Sequence, residues 1–161
     1  MEKKILFVCT GNTCRSIMAE ALAKNMLSAE LKDKESIGKP EIISAGLAAL
    51  PGEGASLQVR KVLQEEGINV DGHEARLLTP QMVKEAHIIL AMTERQKETI
   101  LAVMPHAEHK VYSLKEYASG NEGLDNMDID DPFGLSAEAY RKVLEDFKKI
   151  LPVLFKKIME E

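Results

Sequence analysis

The sequence predicts an α/β fold: one domain over residues 1–161, built in three layers from a four-stranded parallel sheet with helices on both faces. Three observations carry this. Four short runs are apolar almost throughout, as strands covered on both faces are. Helical spacing recurs between them, so strand and helix alternate along the chain. Hydrophobic residues make up 45% of the 161 positions, enough to bury a core without disulfide or metal staples.

The elements follow in order. "KILFV" (Lys4–Val8) reads as the first buried strand. From Arg15 to about Leu31, Met18, Leu22, Met26 and Ala29 return at helical intervals. "EIISA" (Glu41–Ala45) is the second strand, and "GASLQVRKVLQEEG" a second helix with Gly67 as its C-terminal cap. "HIILAM" (His87–Met92) is the third strand. A helix starts after Thr93, an N-cap residue with Gln96 three positions on. "KVYSL" (Lys110–Leu114) is the fourth strand. Ser136 opens the last helix, where Tyr140, Val143, Leu144, Phe147, Ile150 and Leu151 form one apolar stripe. Ser119–Gly134 is the one long stretch without periodicity, and such loops in compact domains are commonly functional. In an open parallel sheet the site is expected at the carboxyl ends of the strands.

Composition narrows the function classes. A net charge of −5 speaks against nucleic acid or an anionic membrane as partner. The longest apolar runs are too short to span a bilayer. "MEKKILFVCTGN" holds only a four-residue apolar run, so it does not read as a signal peptide, and two cysteines in 161 residues fit a reducing cytoplasm. Cys9 and Cys14 with His73, His87, His106 and His109 reproduce no zinc-ligand spacing, so no metal is expected; no organic cofactor is implied either.

Both cysteines fall in "FVCTGNTCRS", the turn between the first strand and the first helix. Backbone N–H groups ahead of a helix N-terminus form a cradle for an anion, and Gly11 gives this turn freedom to wrap. The stretch lacks GxGxxG and GxxxxGK[ST], so nucleotide binding is not indicated. Arg15, six residues after Cys9, is placed to grip two oxygens of an oxyanion. Amides, helix dipole and Arg15 all favour negative charge on Cys9, and Ser16 offers its sulfur another hydrogen bond. A thiolate in an oxyanion cradle is a nucleophile aimed at phosphorus.

The pattern C-x5-R-S resembles the phosphate-binding loop of cysteine-dependent phosphatases, and "VCTGNTCRSIMAEA" resembles the low-molecular-weight protein tyrosine phosphatase family. "ISAGL", "GHEAR" at His73 and "DDPFG" at Asp130 fall in the family's order, so the resemblance covers nearly the whole chain as one phosphatase domain. It implies that Cys9 is the nucleophile and forms a phosphocysteine, that Arg15 binds phosphoryl oxygens, and that Thr10, Gly11, Asn12, Thr13, Cys14 and Ser16 complete the loop. It implies further that Asn12, Ser16, Ser44 and His73 hold the loop in shape. Asp131 would protonate the leaving atom and then activate water; Pro132 independently biases Asp131 towards an extended backbone. Asp128 and Asp130 are rival carboxylates. Cys14 reads either as a small buried hydrophobe or, by the resemblance, as a reversible redox partner of Cys9. One departure is Ile17, where the family usually has proline.

The resemblance also bears on substrate. Tyrosine-specific members carry an aliphatic residue at the position of Thr13, whereas the bacterial protein arginine phosphatases carry threonine in the same string. After the Asp-Pro, tyrosine-specific members tend to have two tyrosines, and this chain has Phe133 and Gly134. Thr13, Phe133 and Asp130 therefore point to phosphoarginine in proteins, with phosphotyrosine as the alternative. Inorganic phosphate is the expected product and a monomer the expected state. A thiol-relay arsenate reductase needs a cysteine beyond Cys14, which is absent. A non-catalytic phosphate-binding redox sensor would not need Asp131.

Overall fold

The computed structural model describes residues 3–30, 39–120 and 126–160. Four parallel strands, β1 (Lys4–Cys9), β2 (Glu41–Gly46), β3 (Ile88–Ala91) and β4 (Val111–Ser113), lie in the order β2-β1-β3-β4. The chain therefore reverses its winding direction at β1: β2 is on one side of it and β3 on the other. A crevice opens at such a switch point, outside the carboxyl end of the strand. Cys9 is the last residue of β1.

Period-two alternation assigns the strand residues to two cores. Ile5, Phe7 and Cys9 face the layer of α1 (Arg15–Glu30), α2 (Leu57–Glu65), α5 (Leu114–Ser119) and α6 (Ala137–Met159). Leu6 and Val8 face the layer of α3 (Pro80–Glu85) and α4 (Glu94–Val103). The stripe on α6 is buried as expected at Tyr140, Val143, Leu144, Phe147 and Leu151, and continues through Leu154, Phe155 and Ile158. Ile150, at its edge, is only half-buried.

The structure differs from the sequence reading in two short helices. α3 has six residues, too few to display a period, although Thr79 caps it and Pro80 occupies its first turn. α5 begins at Leu114, inside the run read as strand, and ends at Ser119. The Ser113 hydroxyl accepts from the Glu116 N–H while the Glu116 carboxylate reaches back to the Ser113 N–H, a reciprocal cap that stops β4 at Ser113. Leu31, named as the end of the first helix, and residues 121–125 of the aperiodic stretch lie outside the described residues.

Phe147 is fully buried among the helices that cover β1. Phe147→Ala is expected to lower the unfolding free energy by about 3–5 kcal/mol through lost burial and a residual cavity, read as a shift in the urea midpoint.

Candidate active site

The turn from Cys9 to Arg15 is built by turning its carbonyls outward. Leu47 N–H donates to the Cys9 carbonyl (2.9 Å), Ala48 N–H to that of Thr10 (2.9 Å), Ser56 N–H to that of Thr13 (3.0 Å) and Met18 N–H to that of Cys14 (3.0 Å). His73 Nε2 lies 2.8 Å from the Asn12 carbonyl; a carbonyl only accepts, so Nε2 carries the proton. In a trans peptide the next N–H points opposite to the carbonyl. The N–H groups of Thr10, Gly11, Thr13, Cys14 and Arg15 are thereby aimed towards the hollow of the turn, ahead of α1. This is a nest for an anion.

Asn12 holds that shape. It is fully buried with φ of +57°, a left-handed conformation that asparagine tolerates better than most residues. Arg76 N–H donates to its Oδ1 (3.0 Å), which fixes the amide's orientation. Its Nδ2 then donates to Ser16 Oγ and Ser44 Oγ, both at 2.9 Å. Ser44 Oγ–H donates to Glu20 Oε1 (2.8 Å). Ser16, already an acceptor from Asn12, has its own proton left for Cys9 Sγ, 2.9 Å away. The Asn12 N–H is also directed at Cys9 Sγ (3.3 Å).

Cys9, Thr10, Gly11, Thr13, Arg15 and Asp131 are among the residues around a cavity of about 290 Å³, with Phe133 at its rim. Arg15 is buried, its Nη1 donating to the Ile129 carbonyl (2.9 Å) and its Nη2 lying 3.6 Å from Asp131 Oδ2. Asp131 Oδ1 accepts from Phe133 N–H (3.0 Å). Its carboxylate is 56% exposed, so it meets both solvent and the cavity. The rival Asp128 is engaged elsewhere, accepting from Glu94 N–H (2.9 Å) at the start of α4. Asp130 lines a neighbouring cavity rather than the one above Cys9. Phe133 stands 74% exposed, a single aromatic wall.

Ser44 and His73, singled out only by resemblance, are both bonded into the loop's support. Cys9 and Cys14 are free thiols, and Cys14 faces Ser56 Oγ (3.5 Å) and Tyr140 OH (3.8 Å). His106 and His109 are exposed, on the short 3₁₀ segment Pro105–Lys110. Among the described residues no three His, Cys, Asp or Glu side chains form a metal-binding group. Four residues around the loop were assigned no role at the site from the sequence. Glu20 anchors Ser44, Tyr140 backs Cys14, and Gln96 Nε2 donates to Thr10 Oγ1 (3.2 Å). Gly46 is the fourth: a Cβ there would lie 2.6 Å from the Thr10 carbonyl oxygen and 3.0 Å from Asn12 N. Only glycine lets β2 approach the loop this closely.

A parallel sheet whose first strand delivers a cysteine into an oxyanion nest, with an arginine and an aspartate at its mouth, defines the cysteine-based phosphatase class. The chain belongs to the low molecular weight phosphotyrosine protein phosphatase family, whose pattern matches residues 4–161. It is 37% identical to a protein-arginine-phosphatase of Geobacillus stearothermophilus, over all of this chain and 99% of that protein. A YwlE arginine phosphatase variant with a phosphorylated active-site serine superposes with a TM-score of 0.86 at 34% identity, over 98% of this chain and 97% of that one. A low molecular weight protein tyrosine phosphatase from T. tengcongensis does so with 0.84 at 35% identity, over 97% and 99%. Among the described residues no helix is long and apolar enough to cross a membrane.

Burial beside Cys14 pushes the Tyr140 phenol up to about 12. Below pH ~10 the phenol is neutral whether the chain is folded or not. Between about 10 and 12 the unfolded chain loses this proton while the folded chain keeps it, so stability falls as pH rises through that window. The slope is at most about 1.4 kcal/mol per pH unit. Tyr140→Phe is expected to remove this share of the alkaline decline, measured by urea unfolding at stepped pH.

Proposed function

We propose that this protein is a cysteine-dependent protein phosphatase acting on phosphoarginine in proteins, through a phosphocysteine, with inorganic phosphate as product, and that it works as a cytoplasmic monomer. The Ser16 hydroxyl and the inward amides stabilise the Cys9 thiolate. The sulfur attacks phosphorus in line, the S–P bond forms as the bond to the leaving atom breaks, and the nest with Arg15 holds the three phosphoryl oxygens. Asp131 in its acid form gives its proton to the departing guanidine nitrogen. As a carboxylate it then takes a proton from the water that attacks the phosphocysteine, releasing phosphate and the Cys9 thiolate.

The observation that carries the substrate reading is the make-up of the cavity wall above Cys9. Thr13 supplies a hydroxyl where an aromatic substrate would gain from an apolar wall, and Phe133 is the one ring at the rim. A planar guanidinium stacks on one aromatic face, and the carbonyl oxygen of the Asp131 acid can accept from one of its N–H groups. The Geobacillus relative's activity supports this reading. Phosphotyrosine is the second reading, favoured by the ring face of Phe133 and by the likeness to the T. tengcongensis tyrosine phosphatase, at 35% identity.

The test is kcat/KM on matched phosphoarginine and phosphotyrosine peptides. Phosphoarginine should be preferred, and Cys9→Ser should abolish turnover on both. Thr13→Ile is expected to move the ratio about tenfold towards phosphotyrosine; a ratio that stays put removes the substrate argument. Asp131→Asn should lower kcat by about 10²–10³ for poor leaving groups and much less for activated aryl phosphates, which depart without a proton.

A further inference from the structure

Gln96 does more than close the cap of α4. Its Oε1 accepts from the N–H groups of Met92 (3.1 Å) and Thr93 (3.2 Å), and its own N–H is bonded to Thr93 Oγ1 (3.1 Å). Two backbone donors facing one atom of the amide identify that atom as oxygen, so the amide nitrogen is the end that faces Thr10. The side chain is 94% buried and its orientation is thereby locked (6% exposed). Nε2 donates to Thr10 Oγ1 at 3.2 Å.

A threonine hydroxyl that accepts from a fixed amide must send its single proton elsewhere. Among the described residues no protein acceptor takes it. Thr10 lines the cavity above Cys9 and also the adjoining one of about 570 Å³, next to Arg15 and Asp131 in both. The arrangement repeats the one across the loop, where Asn12 Nδ2 donates to Ser16 Oγ and leaves the Ser16 proton for Cys9 Sγ. In both pairs a buried amide sets the direction of a hydroxyl.

We propose that Gln96 is a positioning residue that turns the Thr10 hydroxyl into a fixed donor to a phosphoryl oxygen held over Cys9. This rests on the phosphatase reading above and adds a side-chain donor to the backbone nest. The donor costs no reorientation when an oxyanion enters, because its proton is already directed away from α4.

Gln96→Glu tests it. The carboxylate keeps both backbone bonds at the start of α4 but cannot donate, so it draws the Thr10 proton to itself and away from the cavity. Equilibrium binding of inorganic phosphate and kcat/KM on an aryl phosphate should each fall about tenfold, the size of one hydrogen bond to an anion. In a Thr10→Val background the same substitution should change phosphate binding by less than about twofold. A tenfold loss that persists there overturns the proposal, since bare repulsion by a carboxylate does not need the Thr10 hydroxyl. Melting temperatures identify a variant that fails to fold. In that case Thr10→Val against Thr10→Ser decides: serine should hold wild-type phosphate affinity and valine lose about tenfold, and equal affinities overturn the donor role. Intact Cys9-dependent turnover without this coupling sinks the proposal alone. Coupling in phosphate binding without turnover sinks the phosphatase reading instead.

Discussion

The site depends on one buried residue in an uncommon conformation. Asn12 turns the loop through the left-handed region and ties it to four places at once: Ser16 on α1, Ser44 on β2, the Arg76 amide and the His73 ring. Each bond contributes only about 1 kcal/mol net, but a buried donor or acceptor left open costs about 1–3 kcal/mol, so the network is held as a unit. The carboxylate of Glu20 belongs to it through Ser44, and Lys24 lies 3.2 Å from its other oxygen. Its outcome is chemical as much as mechanical. By spending its amide protons on two hydroxyls, Asn12 decides which way those hydroxyls donate.

The sheet's topology brings the second half of the site to the first. At the switch point β3 runs beside β1, so α4 starts next to the loop. Asp128 docks on the first turn of α4, Ile129 N–H donates to the Met92 carbonyl, and the Ile129 carbonyl accepts from Arg15. Arg15 therefore ties the loop to the segment that carries Asp131. The flanking groups of Asp131 are engaged with the protein while its own carboxylate stays half in solvent. That position suits the role proposed for it, which is to exchange protons with a leaving atom and then with water.

Strands were legible because a sheet covered on both faces demands unbroken apolar runs, and β1, β2 and β3 differ from their expected spans by one residue at most per end. α4 and α6 were legible through a capping pair and a long stripe. α3 and α5 were not, because six residues cannot show a 3.6-residue period; only Thr79-Pro80 and Ser113 with Glu116 marked them. At the site, Cys9 and Arg15 follow from local spacing, since a loop cradle is a local object. Gly46, Glu20, Gln96 and Tyr140 do not, because what they do is decided by chain separated from them by many residues. Gln96 shows the limit well. Its role as a capping partner is written in Thr93 and the three-residue spacing, but nothing local says that its other end meets Thr10.

In the proposed mechanism the nest, Arg15 and Cys9 hold a phosphoryl group whatever it is attached to, so they cannot distinguish one phosphorylated side chain from another. Discrimination has to come from groups that touch the part of the substrate beyond phosphorus. Around this cavity those are the side chains of Thr13, Phe133 and Asp131. On the function proposed above, one hydroxyl, one ring and one carboxyl oxygen suit a flat, polar leaving group rich in N–H donors better than an uncharged phenol ring, which gains most between two apolar walls. On that reading the asymmetry of the rim, one polar side and one aromatic side, is the physical basis for choosing between substrates that share the same chemistry at phosphorus.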